Sequence, residues 1–265
     1  MNYITLSLLL LAVSLMACQD PNVVQTYWQN GQVKEKRFYS PNYDREEGRY
    51  KIWQYDELGQ LLAEGEMVLG KKDGEWKDYH PNGEIKFKGF YKLGKKFGRC
   101  TSYFENGQLQ LEVEFNDHEQ LEGTYASWNE KGALIQRGTY ADGKPIGKWT
   151  NQQLEEGTLR KDFYYDSSGG KLEEWIEDSA NVYRYTRYWR SGGVDSLGRI
   201  KDDPNSFELD SLKDGIWKHY NTNGDLAWEG KFVLGKPAGL WKWYNPKGEL
   251  VDTEFYKVEE GSMEE

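Results

Sequence analysis

Apolar and polar residues alternate over short stretches of this chain, each of which follows an Asn-Gly or Lys-Gly pair. After Gly83 the even positions, counted from that glycine, hold Ile85, Phe87, Gly89 and Tyr91. The stretches after Gly107 and Gly224 show the same alternation, and most of the odd positions are charged. Because successive side chains of a β-strand point to opposite faces, this pattern predicts strands with one apolar face and one solvated face.

A second predicted strand precedes each alternating stretch, and the two recur together with a fixed period. This strand begins with a glycine, as at Gly74, and carries aromatic residues two and five places later, as at Trp76 and Tyr79. The starting glycines are spaced by 24 or 25 residues at Gly74, Gly98, Gly123 and Gly147, and by 24 residues at Gly215 and Gly239. Asn-Gly pairs favour tight turns, so the period predicts about ten copies of a β-hairpin unit.

The fold class that follows is all-β: an elongated, single-layer antiparallel meander of about ten β-hairpin repeats. Glycine recurs at position six of the second strand, where the missing side chain is expected to leave room for a large aromatic ring of the adjacent strand. It is found there at Gly65, Gly89, Gly138 and Gly230. The repeat loses its regularity in the middle of the chain, where only remnants of the turns remain.

The first seventeen residues are predicted to be a secretory signal peptide, because the apolar run of residues 4–17 is shorter than the roughly 20 residues of a membrane span. The sequence from Leu15 to Cys18 resembles the lipobox of bacterial lipoproteins, in which that cysteine is acylated. Met16 and the absence of Lys or Arg before the run depart from the pattern, so an uncleaved or differently cleaved leader is the alternative. We expect a lipid-anchored protein of the cell envelope, at the outer membrane or its periplasmic face.

The leader and the repeats predict six segments along the chain. They are a signal peptide at residues 1–17, an anchor linker at 18–26, hairpin repeats at 27–159, degenerate repeats with insertions at 160–214, hairpin repeats at 215–256, and an acidic tail at 257–265.

Charge and composition exclude several functions. The net charge is -10, with 44 acidic and 34 basic residues, and the basic residues are dispersed, so no nucleic-acid groove is expected. After processing, Cys100 is the remaining thiol, which excludes a disulfide within the chain and favours a buried small side chain. The three histidines lie in unrelated places, and no metal, nucleotide or nucleophile motif occurs. We therefore predict no catalytic residue, no metal site and no cofactor.

The spacing Gly-x-Trp-x-x-Tyr-x-x-Asn-Gly-x-Leu-x-x-x-Gly-x-Tyr resembles the MORN-repeat family, and specifically its bacterial variant found in antitoxin-like proteins. The resemblance covers residues 27–256 and is strongest at 48–149 and 215–256. It implies an elongated, twisted sheet of successive hairpins. The roles reported for the family include protein binding, dimer formation and membrane-lipid association, so the resemblance predicts architecture better than activity.

Two functions agree with these observations. The first is a non-catalytic, membrane-anchored repeat scaffold that binds a protein or a cell-envelope ligand such as a polysaccharide. The second is a neutralising antitoxin or immunity partner of a toxin protein. Exposed rings of the first strands would stack on a sugar or a peptide; alternatively, these rings form the cross-strand ladder that holds the sheet together.

The degenerate middle segment is the predicted recognition site, because it keeps rings and arginines in alternation after losing the regular repeat. Arginine, tyrosine and tryptophan are enriched in binding hot spots. The predicted binding residues are Tyr185, Arg187, Tyr188, Trp189 and Arg190. The alternative is a decayed repeat whose arginines pair with neighbouring glutamates.

Overall fold

The computed structural model describes residues 20–40, 48–152, 160–179, 182–201 and 213–257. These residues form nineteen β-strands and no helix, and hence no helix that is long and apolar enough to span a membrane. Cys18, the leader and residues 258–265 lie outside the described residues. The chain divides into two compact units, Met1–Glu119 and Gln120–Glu265.

In the first unit each strand pairs antiparallel with the next one along the chain. The strands are β1 Val23–Tyr27, β2 Val33–Phe38, β3 Tyr50–Tyr55, β4 Leu61–Val68, β5 Lys71–Tyr79, β6 Ile85–Lys92, β7 Lys95–Tyr103 and β8 Leu109–Phe115. Strand β1 begins at Val23, inside the segment that the sequence assigned to a linker.

The second unit has the same arrangement, with each strand antiparallel to the next. Its strands are β9 Gly123–Trp128, β10 Leu134–Ala141, β11 Lys144–Asn151, β12 Arg160–Tyr165, β13 Lys171–Ser179, β14 Val182–Tyr188, β15 Val194–Lys201, β16 Lys213–Tyr220, β17 Leu226–Val233, β18 Lys236–Tyr244 and β19 Leu250–Tyr256. The predicted all-β meander of hairpin repeats is thus confirmed within each unit.

Strands β12 to β15 fall in the segment predicted to hold degenerate repeats, yet they form hairpins like the others. Their turns keep the glycines that the geometry requires: Gly169 and Gly192 have φ of 84° and 90°. A positive φ is accessible to glycine without a steric penalty. The two turn glycines therefore preserve the hairpins although the surrounding residues differ from the repeat.

Two kinds of turn alternate along the sheet. In the first, represented by Gly83, the glycine has φ of 87° and its N–H donates to His80 O at 2.9 Å, while Asn82 Oδ1 accepts from Glu84 N at 3.0 Å. The second is a two-residue Leu-Gly turn in which both residues have positive φ, as at Leu93 (50°) and Gly94 (90°). The geometry that Asn-Gly pairs favour in short hairpins is found here at Leu-Gly pairs.

The core of each unit consists of large side chains that pack over glycines of the neighbouring strand. A Cβ atom placed on Gly65 would lie 2.1 Å from the Trp76 ring. Equivalent distances to Trp149 and Trp241 are 2.0 Å at Gly138 and 2.2 Å at Gly230. The predicted role of the position-six glycine is therefore confirmed at Gly65, Gly138 and Gly230. At Gly89 the adjacent strand supplies Cys100 instead of a ring, with its Sγ 2.6 Å from the Cβ position, and Gly198 with Trp217 at 2.3 Å is a further glycine-ring pair.

In the second unit, the core rings pack on one side of the sheet up to β11 and on the opposite side from β12 onwards. Trp149 on β11 is opposite Phe163, whereas its neighbour Lys148 shares a face with Asp162 and lies 3.2 Å from that carboxylate. Asp162 in turn is opposite Trp175, the first ring of the next core. Adjacent residues of a strand point to opposite faces, so Trp149 and Trp175 pack on opposite sides of the sheet.

This change of side has a simple origin in the repeat. Strand β11 is a first strand of the repeat, and β12, which leads into the turn at Gly169, has the same character. Two first strands are thus paired with each other, and the residue that occupies the usual tryptophan place of β12 is Asp162. Asp162 is buried and accepts two hydrogen bonds from Arg160, at 3.1 and 2.8 Å, in addition to the Lys148 ion pair.

Candidate functional site

The five predicted binding residues do not form one surface. Tyr185 belongs to the core of the second unit, with 1% of its surface exposed between Trp175 and Trp217. Its hydroxyl donates to Glu173 at 3.0 Å, and burial raises the pKa of Tyr185. A side chain in this position stabilises the repeat array and is not accessible to a ligand.

Tyr188 lies on the opposite face, where its hydroxyl donates to Glu174 at 2.7 Å. Glu174 is buried and also forms ion pairs with Lys161, at 2.6 Å, and with Lys171. Burial disfavours the ionised carboxylate, but the hydrogen bonds from these three partners outweigh it and lower the pKa of Glu174 to about 2. Tyr188 is therefore part of a buried charge network.

Trp189 links two hairpins through a hydrogen bond of its side chain. Its indole Nε1 donates to the backbone oxygen of Tyr220 at 3.2 Å. The same bond is made from the corresponding positions of other repeats, by Trp28 Nε1 to Tyr55 O at 3.1 Å and by His80 Nε2 to Tyr103 O at 2.8 Å. The position is structural, and its ring remains half-buried rather than hidden.

The two arginines differ in what they contact. Arg187 keeps 47% of its side chain exposed, and its Nε donates to Tyr185 Oη at 3.1 Å, while Nη2 lies 3.6 Å from Glu173. Arg190 is exposed in the turn that follows β14. The Glu173 contact agrees with the alternative interpretation that these arginines pair with neighbouring glutamates.

A continuous row of half-buried groups extends from Arg187 across the face that also carries the core rings. Directly opposite positions on successive strands place Arg187 beside Ser196, Ser196 beside His219, His219 beside Trp228, and Trp228 beside Trp243. Trp189 joins the row from its turn, with its ring 6.0 Å from that of His219. We call Arg187, Trp189, His219, Trp228 and Trp243 the aromatic row.

The rings of the aromatic row are held rigidly. His219 stacks on Trp228 at 5.5 Å, and Trp228 stacks on Trp241 of the core at 5.1 Å. His219 Nδ1 lies 2.9 Å from Asp195 Oδ1, and this contact holds the imidazole ring in position. Both faces of the Trp228 ring are thus covered by other rings. The centre of the row therefore offers a partner the edge of the Trp228 ring, and one end of the row offers the guanidinium of Arg187.

Sequence reasoning missed the aromatic row as a group, although a signal for it exists. Arg187, His219 and Trp243 all lie five residues before a turn glycine. In the first unit the same place holds the polar residues Gln54, Asp78 and Ser102. When the repeats are aligned on the residue five positions before the turn glycine, the last hairpins differ from those of the first unit at that position.

Most of the repeated rings of the first strands are buried or hydrogen-bonded within the sheet. The first aromatic of the motif is buried at Trp76 and Trp217, with 2% and 1% exposure, and partly buried at Tyr125. The second lies on the solvated face, where Tyr79 donates to Glu64 at 2.7 Å and Tyr244 to Glu229 at 3.0 Å. Burial and the Glu64 carboxylate raise the pKa of Tyr79 to about 12. These contacts support the interpretation of the rings as a cross-strand ladder.

A shallow depression of about 220 Å³ on the solvated face of the first unit brings further polar groups together. Its centre is Glu64, which accepts hydrogen bonds from Tyr79, from Trp53 Nε1 at 3.0 Å and from Lys77 at 3.4 Å. The hydrogen bond from Tyr79 is the main reason that the pKa of Glu64 is lowered. The Glu64 carboxylate therefore links side chains of the neighbouring strands β3 and β5. Within the part of the chain that the structure describes, no three His, Cys, Asp or Glu side chains are grouped as a metal site.

Comparison with known families agrees with the geometry of the repeat. The model of the MORN repeat variant family matches residues 22–40, 72–93 and 98–117. These three segments are similar to MORN repeat variants. The family is generally non-catalytic, and its repeats are typical of binding modules. No curated protein matches the chain.

Solved structures similar to the chain are much longer proteins. They include the crystal structures of TcdB2-TccC3-Cdc42 (14% identity, TM-score 0.19) and TcdB2-TccC3 (13%, 0.20), each matching 85% of this chain and 15% of that chain. The Photorhabdus luminescens Tc holotoxin pore matches at 13% identity and TM-score 0.22, over 87% of this chain and 13% of that one. The chain therefore spans less than a sixth of these structures' chains.

Proposed function

We propose that this protein is a non-catalytic, membrane-anchored binding module that holds a protein partner at its aromatic row. The observation that carries the proposal is that the exposed Arg187 and four half-buried rings accumulate on one face; the rings are Trp189, His219, Trp228 and Trp243. In protein interfaces, tryptophan, tyrosine and arginine supply most of the binding energy from partly buried positions. The repeats of the first unit carry small or polar residues at the equivalent place, so the row is a local feature of the last hairpins.

A protein fits this surface better than an envelope polysaccharide does. A sugar ring binds by stacking on an open aromatic plane, and both planes of Trp228 are covered by His219 and Trp241. Arg187 and Asp195 lie at one end of the row, and Arg187 is exposed over nearly half of its side chain. Ring edges next to a charged group are typical of surfaces that contact side chains and backbone carbonyls.

The partner can be tested by comparing two double variants of the full chain. Arg187→Ala with Trp243→Ala removes both ends of the row, whereas Arg99→Ala with Phe97→Ala removes a more exposed cation and ring from the first unit. Proteins crosslinked to the chain in cells would be quantified by mass spectrometry after circular dichroism has confirmed both folds. We expect the first variant to lose at least about tenfold of one specific partner and the control to retain it.

Arg187→Glu serves as a second variant, because it leaves every ring in place. If all partners remain with both Arg187 variants, the aromatic row is not the recognition site. If the lost partner is a toxin, the protein is a neutralising partner and not a scaffold.

The anchor is a separate part of the proposal and rests on Cys18 and the preceding apolar run. Acylation of this cysteine would hold the repeats at the membrane of the cell envelope. Cys18→Ala is expected to move the protein from the membrane fraction to the soluble fraction, with Cys100→Ala as the matched control. Unchanged partitioning of the Cys18 variant would exclude the lipid anchor.

A further inference from the structure

The last strand, β19, has one hydrogen-bonded neighbour. It pairs with β18 from Gly239 opposite Tyr256 to Tyr244 opposite Leu250, and within the described residues no strand pairs along its other side. All of its residues except Tyr256 are exposed. Unpaired N–H and C=O groups at a sheet edge are a template for a further strand.

One face of β19 carries exposed apolar residues. Val251 and Phe255 are 59% and 68% exposed, and Phe255 is opposite Leu240, which is 52% exposed. Thr253 lies between them at the place that Glu64, Lys88 and Glu112 hold in the first unit, so this face of β19 carries no charged residue. An apolar surface of this kind at a strand edge gains free energy when another strand covers it.

The other face of β19 is acidic. Asp252 and Glu254 are exposed there, and no lysine or arginine among the described residues forms an ion pair with either carboxylate. Asp252 is opposite Trp243 and thus continues the aromatic row to the edge of the sheet. A strand that added to β19 would place its alternate side chains next to these carboxylates.

Glu254 also determines which strands can add. It occupies the place of Gly230, the glycine over which Trp241 of the next strand packs. A Cβ at that glycine would lie 2.2 Å from the Trp241 ring, so a further tryptophan-bearing repeat strand cannot pack over Glu254. Antiparallel self-pairing centred on Thr253 would place Asp252 of one copy opposite Glu254 of the other, and like charges in directly opposite positions are destabilising.

We infer that β19 is a docking edge for an extended strand of a partner protein in which apolar residues alternate with lysine or arginine. The apolar residues of that strand cover Val251 and Phe255, its basic residues pair with Asp252 and Glu254, and its backbone completes the hydrogen bonds of the edge. This edge adjoins the aromatic row at Asp252, but its occupation does not depend on the function proposed for that row.

The test uses the full chain and a capped seven-residue peptide of alternating valine and lysine, which has the length of β19. Two comparison peptides replace lysine by glutamate or carry N-methyl groups at alternate backbone nitrogens. Binding would be measured by fluorescence anisotropy. We expect the valine-lysine peptide to bind and to lose about tenfold or more in Kd when Asp252 and Glu254 are both changed to lysine.

The control is Glu105→Lys with Asp117→Lys, which makes the same change in net charge at exposed sites of the first unit. We expect this control to bind the valine-lysine peptide as the unmodified chain does, and the β19 variant to prefer the glutamate peptide. Equal binding of the valine-lysine and glutamate peptides, or of the N-methylated peptide, would overturn the inference. Unchanged affinity of the folded β19 variant would overturn it too.

Discussion

Gly65 and Trp76 are directly opposite each other on β4 and β5, and a Cβ atom on Gly65 would lie 2.1 Å from Trp76 Cε3. The tryptophan ring occupies the volume that any larger residue on β4 would need. Because the ring is only 2% exposed, it is covered by this arrangement even though the sheet has a solvated face. The glycine is therefore a packing requirement of the repeat, not a turn residue.

Gly65→Ala is expected to destabilise the first unit by about 1–3 kcal/mol, because the added methyl group must displace the Trp76 ring. Chemical denaturation followed by tryptophan fluorescence measures the change. Gly193→Ala is the matched control, since no atom lies within 4 Å of its Cβ position and its φ is not positive. A Gly65 variant as stable as the Gly193 variant would show that the ring does not depend on the glycine.

Leu93→Asn is expected to stabilise the protein by about 0.5–1 kcal/mol. Leu93 has φ of 50° and is 53% exposed, so it bears the steric cost of the left-handed conformation and contributes little burial. Asparagine adopts this conformation more readily and is preferred in such two-residue turns. Leu58→Asn, in an exposed turn without positive φ, is the control and should change stability little. Equal effects of the two changes would contradict the assignment of strain to Leu93.

The repeat was predictable because its determinants are local. A turn glycine, the alternation that follows it and the position-six glycine all lie within one hairpin, so they can be read without knowing the neighbours. The pairing of β11 with β12 is different, since it depends on which strand follows β11. The sequence shows the lost turn after Gly147 but not that two first strands then pair, which places Trp149 and Trp175 on opposite faces.

The candidate site was predicted only in part, for a related reason. The composition around Arg187 and Trp189 predicted a recognition site there. It did not show that Tyr185 is in the core, because its burial depends on Trp175 and Trp217 of neighbouring strands. Tyr188 lies three residues further along the strand and therefore faces the other side. The partners of Arg187 in the aromatic row, His219 and Trp243, come from later hairpins and are brought close by strand order.

Cys100→Trp is expected to destabilise the protein by about 1–3 kcal/mol although it restores the residue of the regular repeat. Cys100 is 2% exposed above Gly89, and the ring of Phe87 fills the remaining space, 2.7 Å from the Cβ position of that glycine. Adding Phe87→Ala should recover most of the loss, since the pair then matches Trp76 with Ala63. Denaturation of the two single variants and the double variant measures this coupling, and additive effects would contradict it.

Cys100 is also expected to be unreactive in the folded state. Burial raises the pKa of its thiol, so little thiolate is present near neutral pH. Alkylation by iodoacetamide followed by mass spectrometry should modify Cys100 only after denaturant is added. Rapid alkylation of the native protein at neutral pH would show that the thiol is accessible.

We expect the free energy of unfolding to depend on the ionisation of Glu174 at acidic pH. Its pKa is about 2 in the folded state against an ordinary value of 4.5, so its contribution is complete above about pH 5 and is lost as pH falls towards 2. After allowance for solvent screening, the contribution is about 1–2 kcal/mol. The difference in unfolding free energy between the wild-type protein and Glu174→Gln should narrow by that amount over this range. A difference that stays constant with pH would contradict the ionised, ion-paired state of Glu174.

The proposed binding role is tested most directly by site-specific photo-crosslinking in cells. A photoreactive amino acid would replace Ser196, which lies between Arg187 and His219, and in a second strain Arg99, which lies outside the row. We predict one discrete crosslinked protein from position 196 that is absent from position 99. Crosslinks of the same identity and yield from both positions, or crosslinks from position 99 alone, would contradict the assignment of the aromatic row as the partner-binding surface.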